Sequence, residues 1–469
     1  VRRTDIFSGG NILRWITISL NTNMPVIEIG AKNFISGESS ADYVSDRGFS
    51  PTSSHLNLTK KRGVMYFAPT STDMGGVTLT GAMVASCFDP SVLPTIDIYY
   101  VDDEAAFYTL DGVTFTKQQT GGNSYSLGTT DLIPFMGSVY ATSTTAVAQL
   151  GDQFGSIIEN WWSGLTSGYR HPMEVIEDEL FIGNSNTIFF WNGTSSGTAF
   201  TLPTGVGITS LRRHPDGRTL LAFCGDVAQN ASHTEPGNGR VYYCDPLIRD
   251  WTREVAIESQ VEGTRVVGGV VHVCYGKNFG YFDGNGLGPL KRFDTSATTY
   301  SHSMGNIEDT IIFRDGTNVI AYGDLGAGDV FYKIFQNTQG VNNVQYQGDN
   351  VLLVAYASGD LLKQLDYDNA GATGEFFSNR YAFPDEVRIN RIDIIHDRTD
   401  TAGTTAFTVN YRDLIESDVV IQSISYVSQD IVKTRIECDV KTDIFQLHIT
   451  GVTDDIGFKH IRIFYEPLT

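Results

Sequence analysis

The apolar positions of this chain fall into short runs separated by turn residues. In DTIIFRDGTNVIAY (residues 309–322) an apolar, β-branched run is followed by the turn pair Asp315-Gly316 and then by a second apolar run. That pattern predicts two strands around a tight turn. It recurs in ELFIGNSNTIFFWNG (179–193), VVHVCYGKNFGYFDG (270–284) and NVLLVAYASGDLLKQLDYD (350–368). Looser copies are VYATSTTAVAQL (139–150) and TLLAFCG (219–225), the latter partnered by RVYYCD (240–245).

Val139, Leu180, Leu220, Val271, Ile311 and Leu352 mark the middle of successive first strands, and the steps between them are 41, 40, 51, 40 and 41 residues. The long step contains the polar insertion AQNASHTEPGNGR (228–240). A period of roughly 40–45 residues, with short strands and no helix, is the spacing of a four-stranded propeller blade. One such sheet cannot bury both faces alone; stacking it between neighbours around an axis buries both, and closing the ring hides most strand edges. The competing arrangement, a string of hairpins in a sandwich, gives no reason for so even a period. Residues 75–130 (GAMVASCF, TIDIYYVDD, AAFYTLDG, VTFTKQQ) add a first blade, although Met83 lies 56 residues before Val139. The count is seven blades, with six as the alternative.

The pattern changes at both ends. Residues 1–54 lack the repeat: LRWITISL (13–20) and PVIEIG (25–30) read as strands, and the polar, Ser- and Gly-rich stretch 35–54 reads as an extended arm. HLNLTKKRGVMYFAP (55–69) reads as a hairpin. Because the last repeat offers only two clear strands, this hairpin is the candidate for closing the ring. From residue 371 the strands lengthen and alternate strictly: Arg388, Asn390 and Arg391-Asp393 alternate with Ile389, Ile392 and Ile394. Period two with one polar face predicts an antiparallel sandwich. The expected organisation is an all-β chain: an N-terminal arm over 1–54, a β-propeller over 55–370 and a C-terminal β-sandwich over 371–469.

Composition narrows the function classes. The chain has 54 acidic and 33 basic residues, a formal net charge of -21. A sequence-independent DNA binder needs a basic surface to displace counterions, so a grip on DNA is disfavoured while a slippery wall is permitted; plain solubility is the more common meaning of an acidic balance. The cysteines, Cys87, Cys224, Cys244, Cys274 and Cys438, are odd in number and lack a C-x-x-C pair. Four lie in expected blade strands, which predicts buried free thiols of a chain folded in a reducing cytoplasm. The opening VRRTDIFSGG has no apolar stretch of signal-peptide type behind it, and no apolar run approaches a membrane span.

Catalytic motifs of the H-E-x-x-H, G-x-S-x-G and P-loop types do not occur, and the nine His are not spaced as local zinc pairs. GNGLG (284–288) follows a strand without a helix after it, which fits a hairpin turn better than a dinucleotide loop. DYDNAG (366–371) has two Asp at calcium-loop spacing but lacks the closing Glu. Asp102-Asp103-Glu104 and Glu177-Asp178-Glu179 are carboxylate clusters where a turn meets a strand; solvated turns are the simpler reading, a glycosidase pair the sharper one. Trp161 and Trp162 fit either blade packing or a surface anchor. The N-x-[ST] sites at Asn57, Asn192 and Asn230 carry no meaning without a secretory signal. No residue is assigned to catalysis, to a cofactor or to a metal, and the sialidase, WD40 and kelch repeat signatures are absent.

Three stretches carry a family resemblance. FSPTSSHLNLTKKRGVMYFAP (49–69), GRVYYCDPLIRDWTREV (239–255) and FQLHITGVTDDIGFKHIRIFYE (445–466) resemble, in that order, the lead into the propeller, a blade and the closing sandwich of the tail nozzle, or packaged-DNA stabilisation, proteins of short-tailed bacteriophages. The resemblance implies a structural virion protein, not an enzyme and without cofactor. It implies a homohexameric ring that contacts tail adaptor or portal-proximal proteins and tail fibre or spike proteins. Genomic DNA would pass without specific binding during ejection. Such a protein is made in the host cytoplasm and ends in the virion tail. Two alternatives stay open: a receptor- or glycan-binding propeller, with Trp161, Trp162 and Trp191 stacking on sugar rings, and a propeller glycoside hydrolase.

Overall fold

A computed structural model describes residues 24–34, 50, 53–54, 56–58, 65–67, 70–73, 83–88, 98–102, 107–111, 114–119, 131–150, 157–226, 238–292, 304–307, 309–315, 318–324, 329–336, 341–348, 351–356, 362–366, 374–397, 405–413, 417–425, 433–450 and 456–468. Ahead of blade one in the chain come β1 (Val26–Gly30), the single helical turn α1 (Ala31–Phe34), the short pair β2 (Leu56–Asn57) and β3 (Tyr66–Phe67), and β4 (Thr70–Asp73). Blade one is β5–β8 (Met83–Phe88, Ile98–Asp102, Phe107–Asp111, Thr114–Gln119) and blade two β9–β12 (Leu132–Phe135, Ser138–Thr142, Ala146–Leu150, Ile157–Ser163). Blade three is β13–β16 (Met173–Ile176, Glu179–Asn184, Thr187–Trp191, Ser196–Thr201) and blade four β17–β20 (Val206–Arg213, Leu220–Asp226, Gly239–Asp245, Asp250–Ile257). Blade five is β21–β24 (Gly263–Val267, Val270–Tyr275, Asn278–Phe282, Leu287–Arg292) and blade six β25–β28 (Met304–Ile307, Thr310–Asp315, Asn318–Asp324, Asp329–Gln336). Blade seven combines β29–β31 (Val341–Gly348, Val351–Tyr356, Leu362–Asp366) with β4.

The first strands of consecutive blades lie side by side, and β29 returns to β5, so the seven sheets close a ring. The packing explains the apolar runs. In β18, Leu220, Ala222 and Cys224 face the blade-three side, while Leu221 and Phe223 face blade five. Successive side chains on a strand point to opposite faces, so a middle strand between two neighbours is apolar at every position. Outer strands show the opposite: β20 is exposed at most positions. Glycine serves the tight corners. Gly268 and Gly269 both take positive φ, 57° and 76°, in the two-residue turn between β21 and β22.

Closure differs from the sequence expectation. The hairpin over 55–69 does not complete the last blade: β2 and β3 form a separate two-stranded sheet, and Met65 bridges Phe458 of the C-terminal sheet. The closing strand is β4, just beyond that hairpin, running antiparallel to β31 with Thr70 opposite Asp366 and Asp73 opposite Lys363. The last repeat thus supplies three strands and the N-terminal side one. TSTD is polar and short, so no apolar signal marks it.

The C-terminal unit contains β32 (Glu375–Phe377), β33 (Tyr381–His396), β34 (Thr405–Arg412), β35 (Asp418–Ser425), β36 (Lys433–Thr450) and β37 (Phe458–Pro467). The 18-residue β36 belongs to both layers. Its first half pairs with β33, beyond which lie β37 and β1; its second half pairs with β34 and β32, beyond which lies β35. Phe407 of β34 meets Phe458 of β37 edge to face at 5.2 Å, which packs one layer on the other. β1 is therefore an integral edge strand of the sandwich and not part of a free arm; LRWITISL lies outside the described residues. One continuous core joins this sandwich to Leu56, Met65 and Phe67 and on to Ile312, Tyr332 and Ile334 of blade six.

Candidate functional site

Blade geometry brings polar side chains of the inner strands together around the axis. Glu174 on β13 pairs with Arg212 on β17 at 3.1 Å. Arg212 Nε also donates to Thr264 Oγ1 on β21 (3.0 Å), and that hydroxyl lies 2.7 Å from Ser210 Oγ. Arg265, also on β21, donates through Nε and Nη2 to Asn306 Oδ1 on β25, at 3.1 and 2.6 Å. Each contact spans two consecutive blades, so the row links blades three to six as a clasp. Burial, with Arg212 beside it, lowers the Arg265 guanidinium to about 10. At the row's start, Asp131 Oδ2 accepts from Met173 N (2.9 Å) and Oδ1 from Leu132 N (3.0 Å). Burial nevertheless raises its carboxyl to about 6.

A second layer crosses the ring. Arg170, ahead of blade three, forms an ion pair with Glu262, ahead of blade five, and both are buried. Arg170 Nη1 also donates to Glu262 O at 3.3 Å. Blades three and five are not neighbours, so this bridge belongs where blades converge. Beside it, His171 is held between Gly183 O (Nδ1, 3.0 Å) and Thr144 O (Nε2, 3.2 Å), and burial lowers its pKa. Sequence reasoning missed Asp131, Arg170 and Glu262, because isolated polar residues in connecting segments carry no periodic signal.

The groups singled out from sequence are placed as follows. Trp161 packs against Tyr140 (4.8 Å), Trp162 (5.9 Å) and Trp191 (5.3 Å), and Trp162 against Phe189 (5.2 Å). The three tryptophans thus fill the seam between blades two and three, which is the packing reading. Glu177 and Asp178 form the β13–β14 turn, with Glu177 at φ 53°. Glu179 is paired with Arg249, whose guanidinium lies 4.1 Å over the Phe190 ring. GNGLG is the turn into β24, with Gly284 at φ 93°. Trp251 stacks edgewise on Tyr242 at 5.4 Å. Of the calcium-spaced stretch only Asp366 lies within the described residues, and of the 102–104 cluster only Asp102. All five cysteines are free thiols, with Cys87, Cys224, Cys244 and Cys274 buried. Among the described residues no group of three or more His, Cys, Asp or Glu is arranged to hold a metal ion, and no helix is long and apolar enough to cross a membrane.

A third polar cluster lies where the lead-in segment meets the sandwich. Ser54 and Glu375 exchange backbone hydrogen bonds (2.9 and 3.1 Å), as do Met65 and Phe458 (3.0 and 2.7 Å). Ser53 Oγ accepts from Phe377 N at 2.9 Å. The Phe377 ring stacks on His448 at 4.0 Å, with Arg412 over it at 4.2 Å. His448 Nδ1 lies 3.0 Å from Asp418 Oδ1, and Arg412 Nε donates to the same oxygen at 2.6 Å. Arg412 holds the Asp418 carboxyl below its usual range, while burial lowers His448.

No family model and no curated protein matches the sequence. Among solved structures, the chain is similar to the β-propeller domain of Cps50 (Swd1) from Myceliophteria thermophila, at 8% identity over 63% of this chain and 99% of that one, with a TM-score of 0.44. It is also similar to Kuenenia stuttgartiensis hydrazine synthase, at 12% identity over 62% and 97%, TM-score 0.46. A third similar structure is an exo-β-1,3-galactanase from Phanerochaete chrysosporium, at 9% identity over 84% and 100%, TM-score 0.35. The likeness is one of fold.

Proposed function

We propose that this chain is a structural protein of a short-tailed bacteriophage tail, one subunit of a nozzle ring that closes and later conducts the DNA exit channel. The observation that carries this reading is the junction between the lead-in segment and the sandwich. Two of the three stretches that resemble nozzle proteins, 49–69 and 445–466, are about 400 residues apart in sequence yet hydrogen-bonded to each other through Met65 and Phe458.

On this reading the propeller and sandwich are wall material. Adaptor or portal-proximal proteins bind one end of the ring and fibres or spikes its periphery. The net charge of -21 favours passage of DNA over its retention by charge. The chain performs no reaction of its own, and the tryptophans invoked for sugar stacking are used in blade packing.

The test is the mass of the purified full chain by native mass spectrometry, with images of the same sample. A closed ring, six copies in the family it resembles, is the expected result. A trimer that binds cells or glycans would move the assignment to a receptor-binding protein. Polysaccharide turnover abolished by one carboxylate substitution would move it to a hydrolase.

A further inference from the structure

The inner strands of the seven blades, β5, β9, β13, β17, β21, β25 and β29, carry one acidic residue, Glu174, against three arginines, Arg212, Arg213 and Arg265. The strands that line the axis are therefore basic in a chain whose net charge is -21. Arg213 is exposed at the turn after β17, where its Nε donates to Gly217 O at 2.9 Å. Arg212 and Arg265 are half-buried and belong to the axial row.

The two axial guanidiniums are not equally countered. Arg212 has the Glu174 carboxylate at 3.1 Å, and it also feels Asp131, whose oxygens are taken up by the N–H groups of Met173 and Leu132. Arg265 bonds through Nε and Nη2 to a single neutral oxygen, Asn306 Oδ1. Among the described residues no carboxylate is within ion-pair distance of Arg265, and its Nη1 has no acceptor. The Nη2 of Arg212 has none either. The next inner strands, β25 (MGNI) and β29 (VNNVQYQG), contain no acidic residue that could supply one. A guanidinium drawn out of water costs free energy unless it is paired. Burial, and after it the like charge of Arg212, lowers Arg265 to about 10 against the pull of Glu174. The two arginines are thus close enough to repel.

We propose that Arg212 and Arg265 together bind a small oxyanion of the phosphate type at the propeller axis, between blades four and six. The anion accepts from Arg265 Nη1 and Arg212 Nη2 and supplies the counter-charge that the inner strands lack. Guanidinium forks match the oxygens of such an anion in both charge and geometry. The Arg212 side is already set in place, because its Nε donates to Thr264 Oγ1 at 3.0 Å and that hydroxyl lies 2.7 Å from Ser210 Oγ. Asn306 does the same for Arg265. The site lies inside one subunit, so it stands or falls separately from the nozzle reading.

The test is isothermal titration of the full chain with inorganic phosphate, at an ionic strength held constant with sodium chloride, alongside melting temperatures in the two salts. Saturable binding of about one phosphate per chain is expected, with a melting temperature that rises with phosphate concentration as ligand linkage requires. Asn306→Asp places a carboxylate where Arg265 now meets an amide. That variant is expected to melt higher than the parent in chloride and to lose the response to phosphate. Arg265→Gln is expected to lose the response too, whereas Arg213→Gln, outside the axial row, keeps it. An Arg265 that only holds blades together would, on replacement, lower the melting temperature equally in chloride and in phosphate, and that result would overturn the proposal. Saturable binding that survives both Asn306→Asp and Arg265→Gln would overturn it as well, as would the absence of saturable binding by the parent chain.

Discussion

The residues that stand out are polar groups in places where burial makes their ionisation expensive. Asp131 accepts two backbone N–H bonds, which favour the carboxylate, yet burial outweighs them and lifts it from 3.8 to about 6. A carboxyl whose folded pKa is raised contributes stability that is complete below its unfolded value and is lost as pH rises through its folded value. His171, His396 and His448 act in the opposite sense. Burial lowers each, so their contribution is complete above the ordinary histidine value and is lost on acidification. Total stability mixes these trends, but a single substitution separates one of them. Asp131→Asn removes the ionisation and keeps an oxygen acceptor. Its stability relative to the parent chain is expected to improve steadily from pH 4 to pH 7, read from urea midpoints at each pH. A difference that stays flat over that window would mean that Asp131 titrates normally.

At the scale of elements, the sequence was most informative where two neighbours bury one strand. LLAFC in β18 and TIIF in β26 are apolar at successive positions because blades flank them on both sides, so the 40-residue step between such runs gave the blade count. The alternation in β33 likewise marked a sheet with one polar face. The closing strand escaped notice for the converse reason. β4 is an outer strand of four polar residues whose fixed place is set by backbone pairing with β31. The axial clasp was illegible too, since Glu174, Arg212 and Arg265 look like ordinary strand charges until the ring sets them side by side. Closure by β4 has a sharp test. In an antiparallel ladder, adjacent residues point their N–H groups to opposite sides. Of Ser71→Pro and Thr72→Pro, one therefore removes a bond to β31 and the other faces outward. One variant is expected to lose about 1–3 kcal/mol, the cost of removing one ladder hydrogen bond and leaving its acceptor unpaired, with early proteolysis at the first–seventh blade seam. The other should unfold close to the parent. Equal, negligible effects would show that β4 does not close the ring.

For the whole molecule, the net charge is what bears on the proposed channel. At the axis Glu174 pairs with Arg212 and Glu262 with Arg170, while Arg265 is held by the neutral amide of Asn306. Those contacts hold blades together, and the net charge of the chain is acidic at -21. Six such chains in a ring would surround a channel with a strongly negative field. DNA carries one charge per roughly 1.7 Å of axis, so on the proposed nozzle reading a wall of that sign lets it slide without binding, and retention would be steric. The assembled protein is therefore expected to show no retention of duplex DNA on a filter or in a mobility shift at low salt, where electrostatic binding is strongest. Binding that is tight at low salt and falls steeply as salt rises would instead reveal a basic lumen. Its logarithmic slope would count the phosphates neutralised, at about 0.9 per contact. That result would leave the propeller and the sandwich standing and would remove the proposed slippery channel.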